Sequence, residues 1–244
     1  MHLLAVAESK NGLRDEARKS FHNAIRLDPS IPQNYYDLAL LEMQDGDYAD
    51  AAATIQTYLR ISPQNAKAHL MLGIAYRKQE KYQLAVEQLK QAIAISPDLP
   101  QVHYNLGKIY QRQGDNEDAL EEFRDELGVN PQFYDVYWSA GYSEIAVKHY
   151  KSAEALFRRG TELKPLAYQA YYGLAKVFLA QNQLPKAESA LEKVIALAPQ
   201  DIDAHSMLAS VYTRMGKTLE AKREELVVET LKNQAKQAEE SPAH

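Results

Sequence analysis

Proline recurs every 34 residues along this chain: Pro29, Pro63, Pro97, Pro131, Pro165 and Pro199 lie on one lattice. Ala17, Ala51, Ala85, Ala119, Ala153, Ala187 and Ala221 form a second lattice of the same period, and no insertion or deletion disturbs either. A fixed period of this size marks a stack of like supersecondary units, each burying its apolar face against its neighbours. The reading gives seven units, at residues 1–31, 32–65, 66–99, 100–133, 134–167, 168–201 and 202–235, as one domain. Residues 236–244 are polar and aperiodic and are expected to form a disordered tail.

Inside a unit the apolar residues have helical spacing. Residues 68–97 place Leu72, Gly73 and Tyr76 on one stripe and Ala85, Leu89, Ala92 and Ile93 on another, which predicts two amphipathic helices. The polar stretch between them, as at Gln113-Gly114-Asp115, often holds a glycine to close the hairpin turn. The lattice proline ends the second helix, since its ring cannot continue the hydrogen-bond ladder. Ala5, Ala39, Gly73, Gly107, Gly141, Ala175 and Ala209 are expected to face the alanine lattice and let helix axes approach to about 8–10 Å.

The succession His103, Leu106-Gly107, Tyr110, Ala119, Phe123 and Pro131 resembles the tetratricopeptide repeat family, and the other units match nearly as well. The resemblance implies an all-α, right-handed superhelical solenoid of about seven 34-residue helix-turn-helix repeats, with first helices lining a concave groove and second helices on the convex side. It also implies a role in binding proteins or peptides. Chaperone-binding members of the family grip a terminal carboxylate with Lys and Asn in one first helix, Asn in the next and Lys and Arg in a third. Here Tyr36-Leu40, Met71 and Gln101-Asn105 stand at one such register, and Leu70-Ile74, Asn105 and Asp135-Ser139 at the next, so that set is lacking. The asparagine ladder of sugar-transferring members is lacking too, because Asp37, Met71, Ser139 and Gly173 surround a lone Asn105.

Composition narrows the function. The chain has 244 residues, 45% of them hydrophobic and 25% charged, which is ordinary for a soluble globular protein. No apolar run is long enough to span a bilayer, and residues 1–12 lack the flanks of a signal peptide. Met1 falls partway into the first helix of its unit, so the reading expects a fragment of a longer array whose compartment is open. With no cysteine, thiolate metal sites and cysteine nucleophiles are excluded. A net charge of −5 argues against non-specific nucleic-acid binding. No phosphate-cradling loop, H-E-x-x-H or G-x-S-x-G is present, so neither catalysis nor a cofactor or metal is expected.

Several clusters invite a chemical reading and receive a structural one. His69, His103 and His205 occupy equivalent positions on stacked helices about 8–10 Å apart, too far for one zinc ion, whose ligand atoms lie about 2 Å away. Asp45-Gly46-Asp47 falls in a turn, and Asp201-Ile202-Asp203 opens a helix. The acids Asp115, Glu117, Asp118, Glu121, Glu122 and Asp125 are expected on a solvated face. Glu126 takes a position held by alanine in Ala24 and Ala92, and this predicts a loosened or base-bridged joint between the fourth and fifth units.

The binding reading rests on two positions, four apart, beside the packing stripe of each first helix. They read Tyr36 and Leu40, Leu70 and Ile74, Tyr104 and Lys108, Trp138 and Tyr142, Tyr172 and Lys176, then Ser206 and Ser210. Lys67, Arg77, Lys78, Asn105, Arg112 and Arg214 add a basic fringe. Tyr, Trp and Arg dominate binding hot spots because they offer large contact areas at low entropic cost. The expected partner is a protein or peptide segment with apolar anchors and acids; nucleic acid and membrane insertion are not expected. Trp138 is the leading single residue, lying where Ala140, Glu144 and Val147-Lys148-His149 depart from the repeat. Two other roles stay open: a scaffold that self-associates through this surface or an uncapped N-terminal unit, and a substrate-recruiting module of a larger enzyme or secretion assembly.

Overall fold

The computed structural model describes residues 1–240, which contain fourteen α-helices and no strand. The helices are α1 (His2–Lys10), α2 (Arg14–Leu27), α3 (Pro32–Asp45), α4 (Tyr48–Ile61), α5 (Ala66–Lys78), α6 (Tyr82–Ile95), α7 (Val102–Gln113), α8 (Asn116–Val129), α9 (Tyr134–Ala146), α10 (Tyr150–Leu163), α11 (Tyr168–Ala180), α12 (Leu184–Leu197), α13 (Ile202–Arg214) and α14 (Thr218–Glu240). Each odd-numbered helix packs antiparallel on the next in a hairpin. The helices gather into two compact units: unit 1, Met1–Asn130, and unit 2, Pro131–His244.

In unit 1 the core runs through successive hairpins. Phe21, Leu38 and Leu41 join α2 and α3, while Ile55, Leu72, Leu89, Leu106 and Ile109 continue it from α4 to α7. In unit 2 Phe157, Leu174, Leu191, Leu208 and Val211 play the same part. The alanine lattice is buried in both units. The residues opposite the first-helix glycines are larger than expected: a Cβ on Gly73 would lie 2.7 Å from Leu89 Cγ, and one on Gly107 would lie 2.6 Å from the Phe123 ring. In unit 2 the Phe157 ring packs over both Gly141 and Gly173. The glycines therefore seat a bulky second-helix side chain as well as bring backbones together.

The hairpin turns share one backbone device. Gly12, Gly46, Glu80 and Gly114 in unit 1, and Lys148, Asn182 and Gly216 in unit 2, all have positive φ and stand 34 residues apart. Glycine fills four of the seven positions at no steric cost, and the others accept strain. The expected disordered tail is corrected as far as it is described: α14 carries on through residues 236–240, in a run of Ala, Gln, Lys and Glu with high helix propensity. Residues 241–244 of that tail lie outside the described residues. No helix among the described residues is long and apolar enough to cross a membrane.

Candidate functional site

In unit 1 the expected rungs lie on α3, α5 and α7. Tyr36 is half-buried against Tyr58, ring centroids 5.6 Å apart, and burial raises its phenol pKa. Leu40 is 43% exposed, and Leu70, Ile74 and Tyr104 are half-buried. Tyr104 leans on Phe123 with centroids 6.1 Å apart. These rungs anchor in the core by one edge and present the other to solvent.

Asn105 does not belong with them. It is 3% exposed, its amide donates to the Gln101 carbonyl at 2.7 Å, and its oxygen accepts from Arg77 Nε at 3.0 Å. The reason is angular: one residue past Tyr104 the side chain turns about 100° round the helix, toward the packed interior. Asn105 is therefore a support for Arg77. The Arg77 guanidinium is partly buried, and burial lowers its pKa, yet no carboxylate lies within ion-pair distance of it among the described residues.

Arg77, Lys78, Tyr82, Lys108, Gln111 and Arg112 line a cavity of about 460 Å³. Glu80 is its sole acid and stands 3.9 Å from Arg112. Lys108 donates to Gln111 Oε1 at 2.7 Å, and the Lys78 ammonium stands 5.8 Å from the Tyr48 ring centroid. Four cations against one carboxylate suit an anion, above all a planar one that a fixed guanidinium can meet with two N–H donors. The sequence reading missed Tyr82 and Gln111, which lie outside the two positions it followed.

In unit 2 the rungs are Trp138 and Tyr142 on α9 and Tyr172 and Lys176 on α11. Trp138 meets Tyr142 edge-on at 5.9 Å, and Tyr142 meets Phe157 edge-on at 5.4 Å. Burial pushes the Tyr142 phenol well above the ordinary tyrosine range. Trp138, Tyr142 and Tyr172 are half-buried, and Lys176 is exposed with its ammonium 5.3 Å from the Tyr142 centroid and 4.9 Å from that of Tyr172. A cavity of about 300 Å³ opens among these side chains, joined by Tyr168, Asp201 and Asp203. Tyr168 was legible as the residue one turn before Tyr172. Asp201 accepts from the Ala204 N–H at 2.8 Å, as expected of a helix-opening acid, and Asp203 is exposed at the cavity. Ser206 and Ser210 line a different hollow with Arg214.

The remaining clusters are structural ties. His69 Nε2 and His205 Nε2 each lie 3.0 Å from a carbonyl oxygen six residues back, of Pro63 and Pro199, and the Tyr35 and Tyr137 hydroxyls donate to the matching prolines Pro29 and Pro131. This register fastens a first helix to the loop before it. His103 Nδ1 pairs with Glu122 at 2.7 Å, as His205 Nδ1 does with Glu224 at 2.6 Å, and His103, Glu122 and Asp125 hold ligand-type atoms within 4.8 Å of one another. Asp45 and Asp47 receive Arg18, and Asp45 also receives Arg14, tying α2 to the α3–α4 turn.

Glu126 corrects another expectation. It is wholly buried, and its two oxygens accept from the backbone N–H of Gln101 at 2.8 Å and of Tyr104 at 3.2 Å. The carboxylate thus caps α7 from α8, inside unit 1, and needs no basic partner. The need arises locally. Asn65 and Asp201 cap α5 and α13 with their own side chains, but the equivalent residue before α7 is Leu99, and the helix begins only after Gln101, whose φ is +73°. Burial raises the Glu126 pKa, and the two N–H bonds oppose that rise.

Models described as tetratricopeptide repeat match residues 2–66, 100–133 and 144–223, and one described as TPR repeat matches 73–114. No curated protein matches the sequence. Among solved structures, the C-terminal part of a TPR repeat-containing protein from Cytophaga hutchinsonii is 21% identical, with TM-score 0.76 over 95% of each chain. The type IV pilus biogenesis factor PilW is 22% identical, with TM-score 0.73 over 82% of this chain and 92% of its own. YrrB, described as a TPR protein with an unusual peptide-binding site, is 20% identical, with TM-score 0.62 over 77% of this chain and 96% of its own. The helical hairpins, their 34-residue register and these matches agree: the chain belongs to the tetratricopeptide repeat family.

Proposed function

We propose that this protein is a non-catalytic adaptor that binds an extended protein segment on its first helices. The observation that carries the proposal is the pocket of Arg77, Lys78, Lys108 and Arg112 beside the half-exposed apolar residues Leu70, Ile74 and Tyr104. A chain of net charge −5 has gathered three further cations around the half-buried Arg77 guanidinium, which has no carboxylate partner among the described residues, an arrangement that costs desolvation until an anion arrives. The segment that fits presents an acidic residue to this pocket and apolar side chains to the rungs. Tyr36 and Leu40 in unit 1, and Trp138, Tyr142 and Tyr172 in unit 2, where the Lys176 ammonium lies over two of the rings, are further contacts under the same reading. The peptide-binding site named for YrrB supports the class of activity. A random twelve-residue peptide library panned on the protein tests the proposal. Enrichment of an acid flanked by apolar residues, lost from a folded Lys108→Glu, Arg112→Glu variant, is the expected result. Equal enrichment on the variant would remove the pocket from the function.

A further inference from the structure

Four aromatic rings and two carboxylates converge on one opening in unit 2. Trp138 and Tyr142 come from α9, Tyr168 and Tyr172 from α11, and Asp201 and Asp203 from the start of α13. Burial raises the Tyr172 phenol pKa, and Asp203 and Asp201, which line the same opening, add to the rise. An aromatic face carries partial negative charge, and carboxylates at the rim add to it.

The opening already holds one cation. The Lys176 ammonium faces two rings at 4.9 and 5.3 Å from their centroids, inside the about 6 Å reach of cation–π attraction. It makes no ion pair or hydrogen bond among the described residues, and Lys176 is exposed on a flexible stem. Two ring faces thus converge on a position that suits a cation, and only a mobile lysine fills it.

We infer that unit 2 carries a subsite for an arginine side chain of the partner segment, with Lys176 as an internal occupant that the incoming guanidinium displaces. A guanidinium stacks flat on a ring while its edge donates to a carboxylate, so Tyr172 with Asp203 matches it better than an ammonium does. The inference rests on the adaptor reading for what carries the arginine, while the chemistry of the opening stands apart from it. It also makes the ligand of unit 2 opposite in charge to the one proposed for unit 1.

The test uses the full chain and N-acetyl-arginine amide, read through fluorescence of Trp138, the only tryptophan. At constant ionic strength a saturable change is expected, and N-acetyl-glutamate amide should give none. Asp203→Asn and Tyr172→Leu should each weaken binding by about tenfold, whereas Lys176→Met should tighten it by removing the competing charge. Should Tyr172→Leu lose helicity, Asp203→Asn at an exposed residue still decides. No saturable change, an equal response to the glutamate probe, or weaker binding by Lys176→Met would each overturn the inference. If selected peptides still bind in that event, the adaptor reading survives and only this subsite falls; if peptides fail but arginine amide binds, the reverse holds.

Discussion

Individual side chains in this fold are set by backbone angle and burial as much as by type. Lys148 occupies the left-handed turn position that glycine holds in four other hairpins. A side chain there costs about 1 kcal/mol or more, partly offset by the extra unfolded-state freedom of glycine. Lys148→Gly is expected to raise the thermal midpoint slightly, a net gain of about 0.5 kcal/mol. The opposite change fails for the opposite reason. Gly173→Ala should gain helix propensity, yet a Cβ there overlaps the Phe157 ring, so a net loss of about 1–3 kcal/mol is expected in denaturant titrations. Glu42 offers a pH test. It is 3% exposed, its Oε2 has no hydrogen-bond partner, and burial pushes its pKa from 4.5 to about 7, with Asp50 and Asp47 adding to the rise and Thr54 and Arg18 opposing it. The folded state therefore binds the proton more tightly than the unfolded one, and stability falls as pH rises from 4.5 toward 7. Glu42→Gln should be more stable than the natural protein at pH 8, by up to about 3 kcal/mol, and the difference should vanish near pH 4. A constant difference across that range would contradict the assignment.

At the scale of the element, the repeat made most of the fold legible, and its irregularities hid the rest. The proline and alanine lattices, with the helical spacing of the apolar residues between them, predict two helices and a hairpin in each unit, and the described residues hold fourteen such helices. The tail misread from residue 236 shows the limit of apolar periodicity: Ala, Gln, Lys and Glu extend α14 by propensity with no stripe to announce it. The opening of α7 was also illegible. Glu126 stood out as a buried acid, but a sequence does not reveal that Leu99 leaves a helix start uncapped or that a side chain 25 residues later reaches its N–H groups. Asn105 and Tyr104 are neighbours in sequence, and the turn of about 100° between them round α7 puts one in the interior and leaves the other half-buried. Removing the cap by Glu126→Ala should expose the first-turn amides of α7, with hydrogen exchange at Gln101 and Tyr104 accelerated by tenfold or more, equivalent to the ~1–2 kcal/mol of a lost cap. Unchanged exchange at those two amides would show that the carboxylate has no capping role.

At the scale of the whole molecule, repetition distributes one scaffold over seven hairpins and leaves the surface of each free to differ. Unit 1 collects cations on α5 and α7, while unit 2 collects aromatic rings and acids on α9, α11 and α13. A solenoid built of nearest-neighbour contacts tolerates such divergence, since a surface change in one hairpin leaves the cores of the others intact. The acids of α8 belong to a second helix and stand outside the proposed contact surface; Glu122 and Asp125 among them pair locally with His103 of α7. The most direct measurement is residue-resolved amide mapping by NMR as a peptide selected on the protein is titrated in. The account predicts shifts in α3, α5 and α7 of unit 1, strongest around Arg77 and Lys108, and in α9 and α11 of unit 2, with α8 undisturbed. Shifts centred on α8 or the other even-numbered helices would contradict binding on the first helices.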